Sequence, residues 1–250
     1  MYYNKSMTNI QIFPIFNQAA PMVWDDFVRI RAETRHQIYN IEPYPKEHNV
    51  AITLFQNCWE KPTKNFAFGA YDNDNMIGFI SGTLFDAGIA TILHLYVLPQ
   101  YQGKHIGAQL LKSAESAISV DRNNVELISM TKAENFYKKY GYISYNQTNR
   151  YNKSVKDCGH CAVAPVFRCT ATIIKQMAKL SGQPLESFDK KSIIKNHTPI
   201  FIYRDVKSNI TGFGICDAPV PQIHATNDWA RSRIEKTITE YQKHIQTKGK

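Results

Sequence analysis

The sequence has no long hydrophobic run. No window approaches the roughly 18 continuous apolar residues of a membrane-spanning helix, so we expect no membrane segment. The first residues, Met1-Tyr2-Tyr3-Asn4-Lys5, also lack the apolar core of a signal peptide. A cytoplasmic protein is therefore expected.

Cysteine is scarce, with five residues in a chain of 250. The odd count and the irregular spacing argue against a disulfide framework. Cys158 and Cys161 have the spacing of a redox or zinc pair, but residues 162–167 read as a strand and no second ligand pair accompanies them. We predict no metal site and interpret this segment as a hairpin loop, although the sequence does not settle whether the two cysteines bind metal.

Acidic residues are few in the last part of the chain. Residues 1–150 carry 14 Lys/Arg and 13 Asp/Glu, whereas residues 151–250 carry 16 and 8. Such an asymmetry concerns association and not fold, and it indicates either an acidic partner or a solvated basic surface. The aromatic residues fall mostly at core positions of strands and helices, so nucleic-acid binding is not expected.

The apolar pattern predicts a mixed order of strands and helices. Strands are expected at 8–13, 66–71, 76–85, 90–98, 125–128, 142–145 and 162–169, and helices at 22–41, 47–59, 104–120 and 133–140. The strand at 162–169 is expected to pair with 142–145. Antiparallel hairpins with one crossover unit predict an α/β fold of three layers around a mixed, mostly antiparallel sheet. The chain shows no repeat of fixed period.

The pattern changes after about residue 170. A helix at 173–180, a hairpin of 199–203 with 210–216, and a final helix after Asn227 are predicted there. We interpret residues 1–169 as one domain and residues 170–250 as a small appended α+β module of unknown role. The apolar face of its last helix must be buried, so we expect the module to dock on the first domain and to shape its acceptor cleft.

Residues 95–111 predict a strand, a tight turn and the N-terminus of a helix. Gly103 and Gly107 make this turn small, and Lys104 adds a cation. A helix N-terminus favours anions because its first N–H groups lack partners. The segment is therefore either a phosphate site or an ordinary strand–Gly–helix turn.

The same segment resembles the acetyl-CoA motif of the GNAT superfamily of acetyltransferases, Gln/Arg-x-x-Gly-x-Gly/Ala after a buried strand and a proline. Gln102 matches the first position and Gly107 the last, while His105 replaces the middle glycine. The resemblance implies a GNAT-like fold that binds acetyl-CoA as co-substrate. The implied contacts are Leu95, Tyr96, Val97, Gln102, Gly103, Lys104, His105, Ile106, Gly107 and Ala108.

Residues 133–142 resemble a later helix of the same family, Ala-x-x-Phe-Tyr-x-x-x-Gly-Phe/Tyr. The tyrosine four residues before the glycine lies near the CoA sulfur in that family, which makes Tyr137 the expected acid for the departing thiolate. The other interpretation of Tyr137 is a core tyrosine. Met130 stands where the family usually has asparagine. The resemblance covers about residues 8–169.

The implied reaction is the transfer of an acetyl group to a primary amine by direct attack in a ternary complex. His94, on the strand before the motif, is the candidate base, and a hydrogen-bonded core histidine is the other interpretation. Glu126, Glu134 and water-relayed carboxylates are further candidates for the base. The N–H of Val97 is the candidate oxyanion donor.

The sequence does not identify the acceptor amine. The rival function is a catalytically inactive CoA-binding module that acts in regulation or scaffolding. His105 and Met130, the two departures from the family pattern, favour this rival, whereas Tyr137, Gln102 and Gly107 favour the enzyme.

Overall fold

The structure is a computed structural model with two sheets. It describes residues 10–16, 20–40, 65–85, 88–156, 163–188, 199–207, 209–216 and 221–248. The helix expected at 47–59 and the loop with Cys158 and Cys161 lie outside these ranges. None of the helices within them is long and apolar enough to cross a membrane.

The first sheet is mixed and mostly antiparallel, as the sequence predicts. Its strands are β1 (Ile10–Pro14), β2 (Asn65–Asp72), β3 (Asn75–Leu84), β4 (Ile89–Val97), β5 (Asn124–Ile128), β6 (Ile143–Ser144) and β7 (Arg150–Ser154). They lie in the order β1-β2-β3-β4-β5-β7-β6. β4 and β5 run parallel, and the other neighbouring pairs described are antiparallel.

Helices cover both faces of this sheet. α1 (Ala20–Tyr39) packs on it through Phe27, which stacks on Phe79 of β3 with ring centroids 4.3 Å apart. Phe79 pairs with Tyr96, and the next residue, Val97, points to the opposite face. There it approaches Gly107 of α2 (Ile106–Ile118), the crossover helix between β4 and β5. A short helix, α3 (Glu134–Lys139), follows β5. The three-layer arrangement is thus confirmed.

The second sheet belongs to the C-terminal part of the chain. Its strands are β8 (Val163–Pro165), β9 (Ile200–Arg204), β10 (Ile210–Ile215) and β11 (Gln222–Ala225), all antiparallel in the order β11-β10-β9-β8. Among the described residues, α4 (Ala171–Ser181) and α5 (Asp228–Lys248) accompany this sheet. We call these strands and helices the C-terminal unit, and the first sheet with α1–α3 the first unit.

The expected pairing of residues 162–169 with 142–145 is wrong. β6 pairs with β7, and β8 pairs with β9 of the second sheet. The turn between β6 and β7 holds Asn146 and Gln147 at φ 49° and 58°, which closes a local hairpin at little entropic cost. The second sheet therefore begins at Val163, within the segment assigned to the first domain, and the division at residue 170 stays a prediction.

The C-terminal unit packs against the first unit, as expected from the apolar face of α5. His244 of α5 stacks on Phe13 of β1 with ring centroids 4.1 Å apart. Arg204 of β9 donates to the carbonyl oxygen of Ser119, the residue that ends α2, at 2.8 Å, and to its hydroxyl at 2.6 Å. The guanidinium of the second unit thereby caps the C-terminus of α2.

Candidate functional site

A cavity of about 510 Å³ lies where β4 and β5 separate. The two strands pair from Ile89 with Asn124 to Ile92 with Leu127 and no further. Leu93 forms a bulge in β4, since Ile92 pairs with Gly82 and His94 with Ser81. A bulge bends its strand and strengthens the local twist, so the rest of β4 turns away from β5 and leaves a wedge.

The main chain of β4 faces this wedge with alternate residues. The amide of Leu98 donates to the carbonyl oxygen of Ile77 in β3 at 2.9 Å. In an antiparallel ladder the N–H groups of successive residues point alternately towards and away from the partner strand. The N–H groups of Val97 and Leu95 therefore point away from β3. The carbonyl oxygen of Val97 accepts from Gln102 Nε2 at 2.9 Å and from Thr34 Oγ1 at 3.3 Å. Gln102 therefore holds the turn against the strand.

The turn after β4 ends in two left-handed residues. A 3₁₀ turn at Pro99–Tyr101 leads to Gly103 at φ 76° and to His105 at φ 61°. His105 is the N-cap of α2, and no side chain caps this helix end. The first N–H groups of α2 thus lack an intrahelical acceptor and lie at the positive end of the helix dipole, at the floor of the cavity. His105 keeps the backbone conformation that a glycine would adopt, with its side chain exposed.

The packing of the protein does not require a glycine at position 107. A Cβ atom at this position would lie 3.6 Å from the ring of Phe136 and 3.9 Å from Val97 Cγ2, which is ordinary van der Waals contact. Its φ is not in the left-handed region. Neither contact nor conformation demands glycine here, so the missing side chain chiefly leaves room in the cavity.

Nine of the ten predicted cofactor residues line this cavity; Lys104 does not. The Nζ of Lys104 lies 4.7 Å from the ring centroid of Tyr101, and the Tyr101 hydroxyl donates to Asp72 Oδ2 at 2.9 Å. This chain of contacts ties the turn to the β2–β3 hairpin. Lys104 is held beside the cavity mouth and not within its wall.

Tyr137 also lines the cavity, and it is at the same time packed in the core. Its ring makes edge contacts with Phe136 at 5.1 Å and with Tyr142 at 5.6 Å, and 7% of its surface is exposed. The core position agrees with the second interpretation of Tyr137, while its role as the acid for the thiolate stays a prediction. The structure brings it to the same cavity as the β4 main chain and the N-terminus of α2.

His94 lies apart from the cavity wall, on the face of the sheet that α1 covers. Its Nδ1 is 3.2 Å from the hydroxyl of Ser81. Burial, helped by the charge of Arg31, lowers the pKa of His94 to about 4. The imidazole is therefore neutral near pH 7 but is a weak base. The alternative Glu134 accepts a hydrogen bond from Tyr151 at 2.9 Å, and the part of the cavity wall that the structure describes contains no carboxylate.

Sequence reasoning missed several walls of the cavity. Leu93, Ile128 and Met130 line it and are 49%, 65% and 43% exposed. Exposed apolar side chains gathered in a cleft indicate a ligand with an apolar part. The charged side chains of the described wall are those of Lys132 and Lys139. Thr34 and Ile38 of α1 and Phe136 of α3 also line it.

The described part of the chain contains histidine, cysteine and acidic residues, the types of side chain that bind metals. Among those residues no group of His, Cys, Asp and Glu side chains is arranged to hold a metal ion. Cys158 and Cys161 lie outside it.

Comparisons with known proteins match the segment that supplies most of the cavity wall. Residues 63–144 match the family model of the acetyltransferase (GNAT) domain. No curated protein sequence matches the chain.

Several solved structures are similar to the chain. One is the PaiA N-acetyltransferase of Thermoplasma acidophilum in complex with coenzyme A, which is 20% identical with a TM-score of 0.48, over 58% of this chain and 99% of that one. A GNAT-family acetyltransferase of Staphylococcus aureus Mu50 is 16% identical with a TM-score of 0.48, over 59% and 99%. A GNAT-family acetyltransferase of Brucella melitensis in complex with acetyl-CoA is 15% identical with a TM-score of 0.44, over 59% and 88%. By the family model, the chain carries a GNAT acetyltransferase domain at residues 63–144, as the two sequence motifs predict.

Proposed function

We propose that this protein transfers the acetyl group of acetyl-CoA to a primary amine. The observation that carries the proposal is the wedge between β4 and β5, which opens onto the uncapped N-terminus of α2 inside a segment matched by the GNAT domain model. An extended main chain, an anion-binding helix end and a buried tyrosine meet in one cavity.

The phosphates of acetyl-CoA fit the end of the cavity at α2. The N–H groups of Ile106, Gly107 and Ala108 belong to the first turn of the helix and favour an anion. Lys104, Lys132 and Lys139 supply positive charge in or beside the described wall, where no carboxylate opposes it. Gly107 leaves the space that a pyrophosphate needs to approach the backbone.

The pantetheine arm fits along β4. The N–H groups of Leu95 and Val97 point into the wedge and would donate to its amide carbonyls or to the thioester oxygen. Leu93, Ile128 and Met130 offer the apolar contacts. Their exposure in the protein alone agrees with a surface that a ligand covers.

The chemistry then needs two proton transfers. The neutral amine nitrogen attacks the thioester carbonyl, the C–S bond breaks, and the thiolate takes a proton from the Tyr137 hydroxyl. The nitrogen gives up its own proton to a base. His94 lies outside the cavity wall, so it would act only through a water molecule. Its pKa of about 4 also makes it a weak base for an ammonium proton.

The rival function, a CoA-binding module without catalysis, depends on His105 and Met130. His105 retains the left-handed conformation and directs its side chain to solvent. Met130 still contributes to the cavity wall. Because neither departure fills the cavity, the enzyme is the better supported of the two.

Release of the CoA thiol from acetyl-CoA, measured with a panel of primary amines, tests the proposal. Amine-dependent release that Tyr137→Phe reduces supports it. Binding of acetyl-CoA without turnover of any amine in metabolite extracts would favour the rival function.

A further inference from the structure

The C-terminal unit has the same order of elements as the first half of the first unit. One runs β1, α1, β2, β3, β4, α2, and the other runs β8, α4, β9, β10, β11, α5. In both, four antiparallel strands lie in chain order from the first to the fourth. α2 packs on β2, β3 and β4, and α5 packs on β9, β10 and β11. The first helix of each half, α1 or α4, packs on the third and fourth strands of its sheet.

The register of the first two strands is the same in both units. Pro14 ends β1 opposite Phe68, and Pro165 ends β8 opposite Phe201. The residue after each proline makes one more equivalent bond. The amide of Ile15 donates to the carbonyl oxygen of Ala67 at 2.9 Å, and that of Val166 donates to the carbonyl oxygen of Ile200 at 2.8 Å. A phenylalanine follows in each case, Phe16 or Phe167.

The third and fourth strands agree in the same way. Each third strand begins within the pattern Asn-x-x-Gly-Phe, residues 75–79 in β3 and 209–213 in β10. Each has its register shift just before the glycine of that pattern. That glycine pairs with Val97 of β4 in one unit and Ala225 of β11 in the other. Chance is a poor explanation for this agreement of a bulge, a glycine and three strand registers between the two units.

The contact between the units has the form of a two-fold interface. In such an interface equivalent residues touch each other, and every other contact occurs twice. Phe16 and Phe167 are equivalent, and their rings lie 5.2 Å apart. Phe16 meets Phe201 edge-on at 5.8 Å and 80°, while Phe167 meets Phe68 edge-on at 5.4 Å and 77°. Since Phe68 and Phe201 are equivalent, the contact is reciprocal.

The outer contacts follow the same symmetry. Tyr71 of β2 and Arg204 of β9 occupy equivalent positions, since each pairs with the residue that precedes the bulge in the third strand, Met76 or Ile210. Tyr71 meets His244 near the end of α5, at 4.3 Å between ring centroids. Arg204 reaches Ser119 at the end of α2. Each unit thus contacts the end of the other unit's helix through the same strand position.

The groove that would bind the cofactor differs between the units. Residues 98–105 connect β4 to α2, whereas Thr226 and Asn227 alone connect β11 to α5. The Asn227 Oδ1 accepts from the amide of Ala230 at 2.8 Å, so a side chain already caps this helix end. The parallel strand that forms the second side of the wedge, β5, has no counterpart beside β11 among the described residues.

An arginine occupies the position of Gly107. The buried residues of the two helices have the same spacing, so the two buried faces can be aligned: Ile106, Leu110, Ala114 and Ala117 with Ala230, Ile234, Ile238 and Tyr241. This alignment places Arg231 where α2 has Gly107. Arg231 Nη1 donates to the carbonyl oxygen of Ile223 at 3.2 Å, and Ile223 is the counterpart of Leu95 in the wedge strand. The side chain therefore lies across the groove that Gly107 leaves open.

We infer that the C-terminal unit is a repeat of the first half of the acetyltransferase domain, docked as an internal partner subunit, with its own cofactor groove closed. The chain therefore has one acetyl-CoA site, in the first unit, and this part of the inference rests on the proposed function. The second copy contributes an interface and not a second active site.

Isothermal titration calorimetry of the full chain with coenzyme A tests the inference. We expect one molecule bound per chain, complete loss of the heat in Gly107→Glu, and no change in Arg231→Glu, the matched substitution in the second groove. Arg231 is exposed, so the control variant is expected to fold.

The outcomes separate the two claims. Two molecules per chain, or binding that survives in Gly107→Glu and disappears in Arg231→Glu, would overturn the closed second groove. No binding to the wild-type chain would refute the proposed function and would agree with a closed groove. If one molecule binds and both substitutions leave binding intact, the phosphates do not lie at Gly107, and the second groove is still closed.

Discussion

The left-handed residue His105, in the turn between β4 and α2, provides a test that needs no ligand. His105 has φ 61° and ψ 12°, its side chain makes no capping hydrogen bond, and it is exposed. For a residue with a Cβ atom this conformation costs about 1–2 kcal/mol. His105→Gly relieves that strain, but glycine also gives the unfolded chain more freedom, which costs about 0.4–1 kcal/mol. The net expectation is a gain of about 0.5–1 kcal/mol in the free energy of unfolding.

His105→Ala is the matched control. Alanine removes the imidazole but keeps the Cβ atom, so its free energy of unfolding is expected to match that of the wild type within about 0.5 kcal/mol. Urea titration of the three proteins without ligand measures both differences. For a chain of this size, a gain of 1 kcal/mol corresponds to about 2–4 °C in Tm. An alanine variant as stable as the glycine variant would show that residue 105 is not held in the left-handed region in solution.

Four further predictions address the cofactor, the acid, the interface and the buried histidine. Acetyl-CoA is expected to raise the Tm of wild type and Gly107→Ala by mass action but not that of folded Gly107→Glu, and an unchanged shift in the latter would contradict the phosphate site. Tyr137→Phe is expected to lower turnover roughly a hundredfold with little change in acetyl-CoA affinity, and wild-type turnover would make Tyr137 a core residue only. Arg204→Met removes two charged hydrogen bonds to Ser119, and urea titration is expected to show a loss of about 2–4 kcal/mol, whereas a loss below about 0.5 kcal/mol would disprove the helix cap. His94 has a pKa of about 4 when folded and about 6.5 when unfolded. The unfolded chain therefore binds the extra proton, and the free energy of unfolding is expected to fall as the pH drops from about 6.5 to about 4. His94→Gln is expected to flatten that part of the pH profile, and an unchanged profile would contradict the lowered pKa of His94.

The turn between β4 and α2 could be predicted from the sequence because its signals are local. Residues 95–111 contain the strand, the proline, the glycines and the apolar face of α2 in one continuous segment. The position of Tyr137 likewise follows from a short motif. Each of these features depends on neighbours within a few residues, which is the range over which sequence patterns are informative.

The walls of the cavity could not be predicted in this way. Thr34, Leu93 and Ile128 meet because α1 and β5 approach the same end of β4, and nothing near each residue in the sequence marks that meeting. The pairing of β6 with β7 was missed because Gln147, an unusual residue for a left-handed position, forms part of the turn.

The repeat was hidden for a different reason. Its two copies differ in the lengths of their connections, as residues 98–105 against Thr226 and Asn227 illustrate. No single period therefore aligns them. The shared signals are a few residues, such as Pro14 with Pro165 and Gly78 with Gly212, and their equivalence becomes visible only through strand register.

The contact between Phe16 and Phe167 joins two parts of the same polypeptide, and this affects how the molecule responds to dilution. Two separate subunits joined through such a contact would part at low concentration, because their association depends on the concentration of the chain. Here both sides belong to one polypeptide, and a tether of this kind keeps its ends at an effective concentration of the order of millimolar. A monomer at nanomolar concentration would keep the contact that a free dimer would lose. Under that condition the second half needs only to fold and to stay docked, and residues such as Arg231 are free to change in ways that a cofactor groove would not tolerate.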